Sequence, residues 1–142
     1  MGRRQWPLRL RAHRRLELVV GGNDQLREFD GEVVTSCMTL AFDVRGKQVT
    51  TIEGLASGEK LHPVQQAFVD HDALQCGFCT PGMVMSCAAL VERDPNCTVE
   101  DVKTAVSGHL CRCGTYPNIL KATLAAARGW PQNQDSGKGG RR

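Results

Sequence analysis

The sequence predicts a mainly α-helical protein whose centre is a four-helix bundle over residues 59–129. Three observations lead to this prediction. In the second half of the chain, apolar residues recur with a helical period, and proline, threonine and glycine stand where helices begin and end. Aromatic residues make up only 5% of the chain, which favours helices packed through small side chains. A chain of 142 residues holds one ordinary domain or two very small ones.

A β-type pattern precedes the bundle, in residues 29–58. β-branched residues cluster at 32–34 and 48–52, which predicts two short strands. Two such strands are too small to bury a core alone. We therefore expect a strand–turn–strand unit, joined to the bundle by a linker at 54–58.

The first two helices of the predicted bundle begin at prolines. Pro63 suits the first turn of one helix, and Pro81 suits that of the next, with Thr80 as its cap. Asp94 marks the end of the second helix. Helical spacing predicts the core-facing residues, which are Val64, Ala67, Phe68 and His71 in the first helix and Val84, Cys87, Ala88 and Val91 in the second.

The third and fourth helices have equally clear boundaries. Thr98 and Asp101 resemble a capping box, which opens a helix that runs to about Val106. Pro117 begins the fourth helix and Gly129 ends it. The apolar positions of this last helix are Ile119, Leu120, Ala122, Leu124 and Ala127.

Both ends of the chain lack a sustained period. We expect residues 1–28 and 130–142 to have no stable structure. The first 15 residues carry six arginines and no acidic residue, which we interpret as a basic tail, with contact to nucleic acid or a membrane as the alternative. No apolar run approaches the ~20 residues of a membrane span, and none completes a twin-arginine export signal. The arginines are Arg3, Arg4, Arg9, Arg11, Arg14 and Arg15.

Four of the seven cysteines form two tight pairs in the sequence. Cys76 and Cys79 are spaced C-x2-C, Cys111 and Cys113 are spaced C-x-C, and 31 residues separate the two pairs. Four thiolates that arrive as two short-range pairs suit a metal centre, either an iron–sulfur cluster or tetrahedral zinc. Each pair precedes a predicted helix start, whose partial positive charge stabilises an anionic group. Gly77 and Gly114 leave room for a close approach of the backbone.

The spacing favours iron and sulfide over the other interpretations. Zinc ribbons more often repeat C-x2-C twice within β-hairpins, and two disulfides or four unrelated thiols remain as further alternatives. An odd number of cysteines would leave one thiol over in a disulfide framework. Metal-bound thiolates in a reducing compartment therefore fit better, and we expect a cytoplasmic protein.

The remaining reactive side chains do not form a catalytic pattern. Cys87 lies on an apolar helix stripe and is expected to be packed, and Cys97 is interpreted as an idle thiol. His62, His71 and His109 have no partner constellation, so we expect them to cap, pack or face solvent. We predict no catalytic residue in this chain and assign it to electron transfer.

Two cysteine-containing segments resemble a known family. Residues 75–82 and 107–119 are similar to the small iron–sulfur subunit of molybdenum hydroxylases, the family of xanthine dehydrogenase, aldehyde oxidoreductase, carbon monoxide dehydrogenase and isoquinoline oxidoreductase. Segments 61–68 and 49–55 also look like parts of that subunit, and the likeness covers about residues 29–128.

The resemblance implies a cofactor, two partners and a role for specific residues. It implies one [2Fe–2S] cluster on the four paired cysteines, held by a four-helix domain. It implies a large partner subunit with the molybdopterin cofactor, and a medium subunit with FAD. Gln75 and the Cys113 region would lie beside the pterin, so that electrons pass from molybdenum through the cluster toward flavin. The proposed metal ligands are Cys76, Cys79, Cys111 and Cys113.

The N-terminal part departs from the family pattern. Such subunits begin with a β-grasp ferredoxin domain whose cluster uses C-x4-C-x2-C-x11-C, and Cys37 matches the fourth ligand. The other three positions hold Glu17, Gly22 and Gln25, so we expect no ferredoxin-type cluster and a truncated β-grasp remnant at 29–58. Our hypothesis is that residues 1–28 are out of frame or mis-started, and the competing account is that the protein is a degenerate family member. Loss of that cluster would slow or abolish transfer to flavin.

A second class of function also fits the cysteines. In that alternative the chain is a zinc-stabilised interaction module, and its arginine-rich start binds nucleic acid. Iron and sulfide analysis separates this alternative from the electron-transfer function.

Overall fold

The computed structural model describes residues 17–18, 26–28, 32–43, 45 and 49–130. Three short strands come first: β1 (Glu17–Leu18), β2 (Leu26–Glu28) and β3 (Glu32–Val34). They form an antiparallel sheet in the order β1-β2-β3, with Leu18 opposite Leu26 and Arg27 opposite Val33. One-turn 3-10 helices follow at Ser36–Met38 and Ile52–Gly54. Four α-helices follow in the described residues: α1 (Pro63–Asp70), α2 (Thr80–Arg93), α3 (Val99–Val106) and α4 (Tyr116–Arg128).

The predicted four-helix bundle is confirmed, and α2 is its central helix. Ten consecutive residues, Gly82 to Val91, are buried along α2, which contacts α1, α3 and α4. A helix that is buried on all sides must be apolar or small all round, and the sequence of this one is Gly-Met-Val-Met-Ser-Cys-Ala-Ala-Leu-Val. The largest fully buried apolar side chains of the bundle are Phe68, Met83, Met85, Ile119, Val64, Val91 and Val102.

The predicted apolar faces are confirmed with one exception. Val64, Ala67 and Phe68 are buried in α1, but His71 is exposed because α1 ends at Asp70. The predicted residues of α2 are all buried. In α4, Leu120 and Leu124 are partly buried, and the other predicted positions are fully inside.

Helix starts fall into two kinds. His62 caps α1: its Nδ1 accepts from the Val64 N–H at 3.3 Å, and the Gln65 side chain accepts from the His62 N–H at 2.9 Å. Thr98 and Asp101 form the predicted capping box of α3. By contrast, the residues before α2 and α4 make no side-chain cap. The two helices without a side-chain cap are the two that follow the cysteine pairs.

Several boundaries differ from the sequence prediction. The prediction that 1–28 lack stable structure is wrong at β1 and β2, since β2 pairs with the predicted strand β3 and β1 pairs with β2; the rest of that segment lies outside the described residues. The strand predicted at 48–52 is wrong, because residues 49–51 are irregular and Ile52–Gly54 forms a 3-10 turn whose Ile52 carbonyl accepts from the Gln65 side chain at 3.1 Å.

Smaller corrections concern helix ends. Cys79, not Thr80, is the N-cap of α2. Helix α4 begins at Tyr116, one residue before the predicted proline. Trp130 was expected in a structureless tail, yet its indole packs against the core and its ring centroid lies 5.2 Å from that of His62. Residues 131–142 lie outside the described part of the chain. None of the helices in the described residues combines the length and apolar character needed to cross a bilayer.

The capping box of α3 predicts a measurable contribution to stability. The Thr98 hydroxyl accepts from the Asp101 N–H at 3.4 Å and donates to the Asp101 carboxylate at 2.7 Å. Thr98→Ala should lower the free energy of unfolding by about 1 kcal/mol, as measured by urea denaturation. Thr51→Ala is the matched control, since Thr51 precedes a 3-10 turn without a side-chain cap. Equal losses in both variants would contradict this interpretation.

Candidate metal centre

The fold brings the four paired cysteines together, and it pairs them crosswise. The Cys76 side chain interacts with that of Cys113, and the Cys79 side chain interacts with that of Cys111. Each spatial pair therefore takes one cysteine from each segment of the sequence. In the described residues, no three His, Cys, Asp or Glu side chains are grouped as ligands of one metal ion. Two sulfur pairs are the terminal ligand set that a two-iron cluster takes, one pair for each iron.

Three of the four paired cysteines, Cys76, Cys79 and Cys111, line an open recess between the segments that precede α2 and α4. Its volume is about 580 Å³. Cys79 is buried, Cys111 and Cys113 are half-buried, and Cys76 is exposed, so the recess has an inner and an outer side. The lining residues are Cys76, Phe78, Cys79, Leu110, Cys111, Arg112 and Tyr116.

A chain of hydrogen bonds fixes the second cysteine segment. His109 is buried, and its Nε2 lies 2.8 Å from the Ser86 hydroxyl in the middle of α2. The Tyr116 hydroxyl donates to the His109 carbonyl at 2.6 Å and accepts from the Cys111 N–H at 2.8 Å. The Thr115 hydroxyl lies 3.1 Å from the Cys111 sulfur. The loop is therefore held to α2 at one end and folded back on the start of α4 at the other.

The first cysteine segment is tied to the same helix. The Asn118 side chain, in the first turn of α4, donates to the Asp72 carbonyl at 3.1 Å. Asp72 has a φ of +50°, and Ala73 after it is buried. The chain that leads from α1 to Cys76 is thus anchored on α4, whose start also holds the second segment.

Two glycines shape the outer pair of cysteines. Gly77 follows Cys76 with a φ of +84°, and Gly114 follows Cys113 with a φ of +76°. A Cβ added at either glycine would meet no atom within 4 Å. These glycines were expected to permit a close approach of the backbone. That approach would be to the bound metal, and the structure adds a conformational reason for glycine, which is the left-handed turn that each segment makes directly after its outer cysteine.

Each pair combines a more acidic thiol with a less acidic one. A backbone N–H of the same segment lowers the pKa of Cys76, and the neighbouring threonine hydroxyl lowers the pKa of Cys111 to about 6. Burial raises the pKa of Cys79 to about 11. A backbone hydrogen bond lowers the pKa of Cys113, but contact with the Cys76 thiol, burial and nearby thiolate charge shift it upward overall. Binding of metal to all four sulfurs would therefore release protons.

The other cysteines separate clearly from this centre. Cys87 is fully buried, and burial raises the pKa of its thiol to about 12, which confirms a packed thiol. Cys97 is also buried in the core. The six cysteines described at side-chain level are all free, so the disulfide alternative is wrong for them; they are Cys76, Cys79, Cys87, Cys97, Cys111 and Cys113.

Of the four histidines, the three in the described residues cap, pack or face solvent, as the sequence predicts. His62 caps α1, His71 is exposed and His109 packs in the core, where burial lowers its pKa. Gln75, which precedes Cys76 in the chain, is exposed.

Three hydroxyl-bearing residues near the centre were not predicted from the sequence. They are Ser86, Thr115 and Tyr116, which hold the second cysteine segment through the hydrogen bonds described above. Their only signal in the sequence was a hydroxyl at each position.

Four thiols in two pairs, beside two helix starts without side-chain caps, are the features of a helical iron–sulfur protein. Residues 51–124 match the [2Fe-2S] binding domain family, and the chain belongs to that family. The donor set fits this assignment, since three of the four sulfurs line one recess large enough for a small inorganic cluster and the fourth, that of Cys113, contacts Cys76.

Known relatives agree with this family. The chain is 45% identical over 98 residues to one of the subunits of nicotinate dehydrogenase from Pseudomonas putida, covering 69% of this chain and 62% of that protein. It is 50% identical over 97 residues to the nicotine 6-hydroxylase small subunit of Paenarthrobacter nicotinovorans, covering 68% and 58%. The structure of quinoline 2-oxidoreductase from Pseudomonas putida 86 matches with a TM-score of 0.65 at 42% identity, covering 69% and 62%.

These matches confirm the resemblance to small iron–sulfur subunits of molybdenum hydroxylases. The chain spans less than two thirds of the length of each of these three relatives.

Replacing either left-handed glycine of the cysteine segments should cost stability through backbone strain, although no neighbouring atom would touch the added Cβ. Gly77→Ala and Gly114→Ala should each lower the free energy of unfolding by about 1–2 kcal/mol, because a Cβ disfavours this conformation even in open space. Gly129→Ala is the matched control: Gly129 has a φ of −87°, and its added Cβ would make ordinary contacts at 3.7 and 3.8 Å. That variant should be neutral or stabilised by about 0.4–1 kcal/mol. Urea denaturation of the three variants measures the difference, and losses at Gly129 that match those at Gly77 and Gly114 would contradict the argument.

Proposed function

We propose that this chain is the iron–sulfur electron-transfer subunit of a molybdenum-dependent hydroxylase. It would hold one [2Fe–2S] cluster on Cys76, Cys79, Cys111 and Cys113 and would contain no catalytic residue. The observation that carries the proposal is the crosswise pairing of these thiols, three of which line one recess. When bound, such a cluster accepts and returns one electron at a time.

The helix starts around the recess support an anionic occupant. Helices α2 and α4 begin directly after the cysteine segments and have no side-chain cap, whereas α1 and α3 have complete capping boxes. Helix starts carry a partial positive charge and amide donors. Four thiolates with bridging sulfides are strongly anionic, so this placement lowers the energy of the loaded site.

The inner and outer sides of the recess suggest how the site serves electron transfer. Cys79 is buried against α2, which keeps water from that side, while Cys76 is exposed. Next to Cys76 and Cys111, the side chains of Phe78 and Leu110 are 69% and 79% exposed. Large exposed apolar side chains at the rim of a redox site fit a surface that a partner covers.

The partner that we propose is a molybdopterin-binding large subunit. Gln75 and Cys113 would lie nearest to the pterin, since Gln75 is exposed next to Cys76 in the chain and Cys113 belongs to the same sulfur pair as Cys76. Electrons would then leave this chain toward an FAD-binding medium subunit. The reaction served would be hydroxylation of an aldehyde or of an aza-aromatic carbon with oxygen from water. We place the complex in the cytoplasm, because free thiols persist in a reducing compartment.

A single cluster is part of the proposal. Cys37 lies in the 3-10 turn Ser36–Met38, and Glu17, in β1, stands where a ferredoxin-type site would need another thiolate. Gly22 and Gln25, the other two positions, lie outside the described residues. With one cysteine of four, the second cluster of related subunits would not form, and transfer toward flavin would be slower.

Reconstitution of the full chain tests the cluster directly. Anaerobic treatment with iron and sulfide should give about two irons and two acid-labile sulfides per chain, with visible absorption. Serine at any one of the four paired cysteines should lower the bound iron at least several-fold. Cys97→Ala and Cys37→Ser serve as controls and should retain it. A colourless chain that binds one zinc and no sulfide would overturn the proposal in favour of the zinc module.

The exposed rim predicts the surface that binds the large subunit. Leu110→Asp should weaken binding to the purified molybdopterin subunit of the same organism about tenfold or more, because it places a charge in an apolar contact. Val99→Asp is the control, since Val99 is 42% exposed at the start of α3 and does not line the recess. Calorimetry gives the affinities, and iron analysis shows that both variants keep the cluster. An unchanged affinity in Leu110→Asp would place the partner elsewhere.

A further inference from the structure

Thr115 occupies a capping position without acting as a cap. It is the N-cap residue of α4, yet its side chain makes no hydrogen bond to the helix. Its hydroxyl oxygen lies 3.1 Å from the sulfur of Cys111 instead. A threonine at this position ordinarily stabilises a helix by about 1 kcal/mol through its cap. Thr115 does not make this stabilising cap, because its hydroxyl is hydrogen-bonded to the Cys111 sulfur.

Thr98 shows what the same residue type does elsewhere in the chain. At the N-cap of α3, the Thr98 hydroxyl bonds to both the amide and the carboxylate of Asp101. The two threonines differ in their neighbours: Thr98 has an acidic residue three positions on, whereas Thr115 has Asn118, whose side chain is engaged with Asp72. The contact with sulfur at Thr115 is therefore a feature of this helix start and not a general property of capping threonines.

The direction of the hydrogen bond between Thr115 and Cys111 follows from the state of the cysteine when it binds metal. The backbone N–H of Cys111 already donates to the Tyr116 hydroxyl, which holds the loop in place. A cysteine that binds iron does so as a thiolate and has no proton to donate. The hydroxyl of Thr115 is then the donor, and the sulfur is the acceptor.

We propose that Thr115 tunes the reduction potential of the bound cluster by donating a hydrogen bond to the sulfur of Cys111. Reduction adds one negative charge to the cluster and its ligands. A donor at a ligand sulfur stabilises the reduced form more than the oxidised form, and this raises the potential. Thr115 is a positioning residue in this scheme, because it acts through Cys111. The inference rests on the function proposed above.

The test compares midpoint potentials of reconstituted full-length variants. Thr115→Val keeps the shape of the side chain and removes the donor, whereas Thr115→Ser keeps the donor. We expect Thr115→Val to make reduction about tenfold less favourable, which is about 59 mV for a one-electron couple. Thr115→Ser should retain the potential of the unaltered chain. Thr98→Val is a control that loses a helix cap without contacting a sulfur, and its potential should not move.

A second readout reports on the bond itself. The iron–sulfur stretching bands in the resonance Raman spectrum should shift in D2O for the unaltered chain, and this shift should diminish in Thr115→Val. Equal potentials and equal isotope shifts in chains with the same iron content would overturn the inference and leave the proposed function intact. Failure of the unaltered chain to bind iron and sulfide would overturn both.

Discussion

The structure depends on one requirement, which is that two distant pieces of chain deliver their thiols to one recess. Cys79 and Cys111 are separated by 31 residues, and α2 and α3 fill that interval. Both cysteine segments are anchored on the start of α4, one through Asn118 and the other through Tyr116. The bundle can therefore be understood as a scaffold that fixes the distance between two loops.

Two of the four helix starts are stabilised by side-chain caps, and the other two lie beside the cysteines. Where no cysteine is near, the chain uses complete capping boxes, at His62 and Thr98. Where the cysteines stand, side-chain caps are missing, and at α4 the hydroxyl that could have capped faces sulfur. The starts of α1 and α3 therefore contribute to stability through their caps, and the starts of α2 and α4 leave amide donors that can stabilise an anion.

The helices could be predicted well from the sequence because their signals are local. Prolines, a capping box and helical spacing set the bounds of α1 to α4 to within about a residue. The short strands β1 and β2 could not be predicted, since strands of two or three residues exist only through pairing with their neighbours, β1 with β2 and β2 with β3. The cysteines were identified from spacing alone, but their crosswise pairing could not be, and the contact of Thr115 with Cys111 requires the loop to fold back on α4. Such tertiary contacts leave no periodic trace in a sequence.

The crosswise arrangement of the thiols also has a topological consequence. A metal group bound there would act as a cross-link between the two halves of the bundle, closing a loop that contains α2 and α3. Closing a loop of this length restricts the unfolded chain, as a disulfide does. Insertion of the cofactor would then also stabilise the fold. Chains without it would unfold and be cleaved by proteases more readily than chains that hold it.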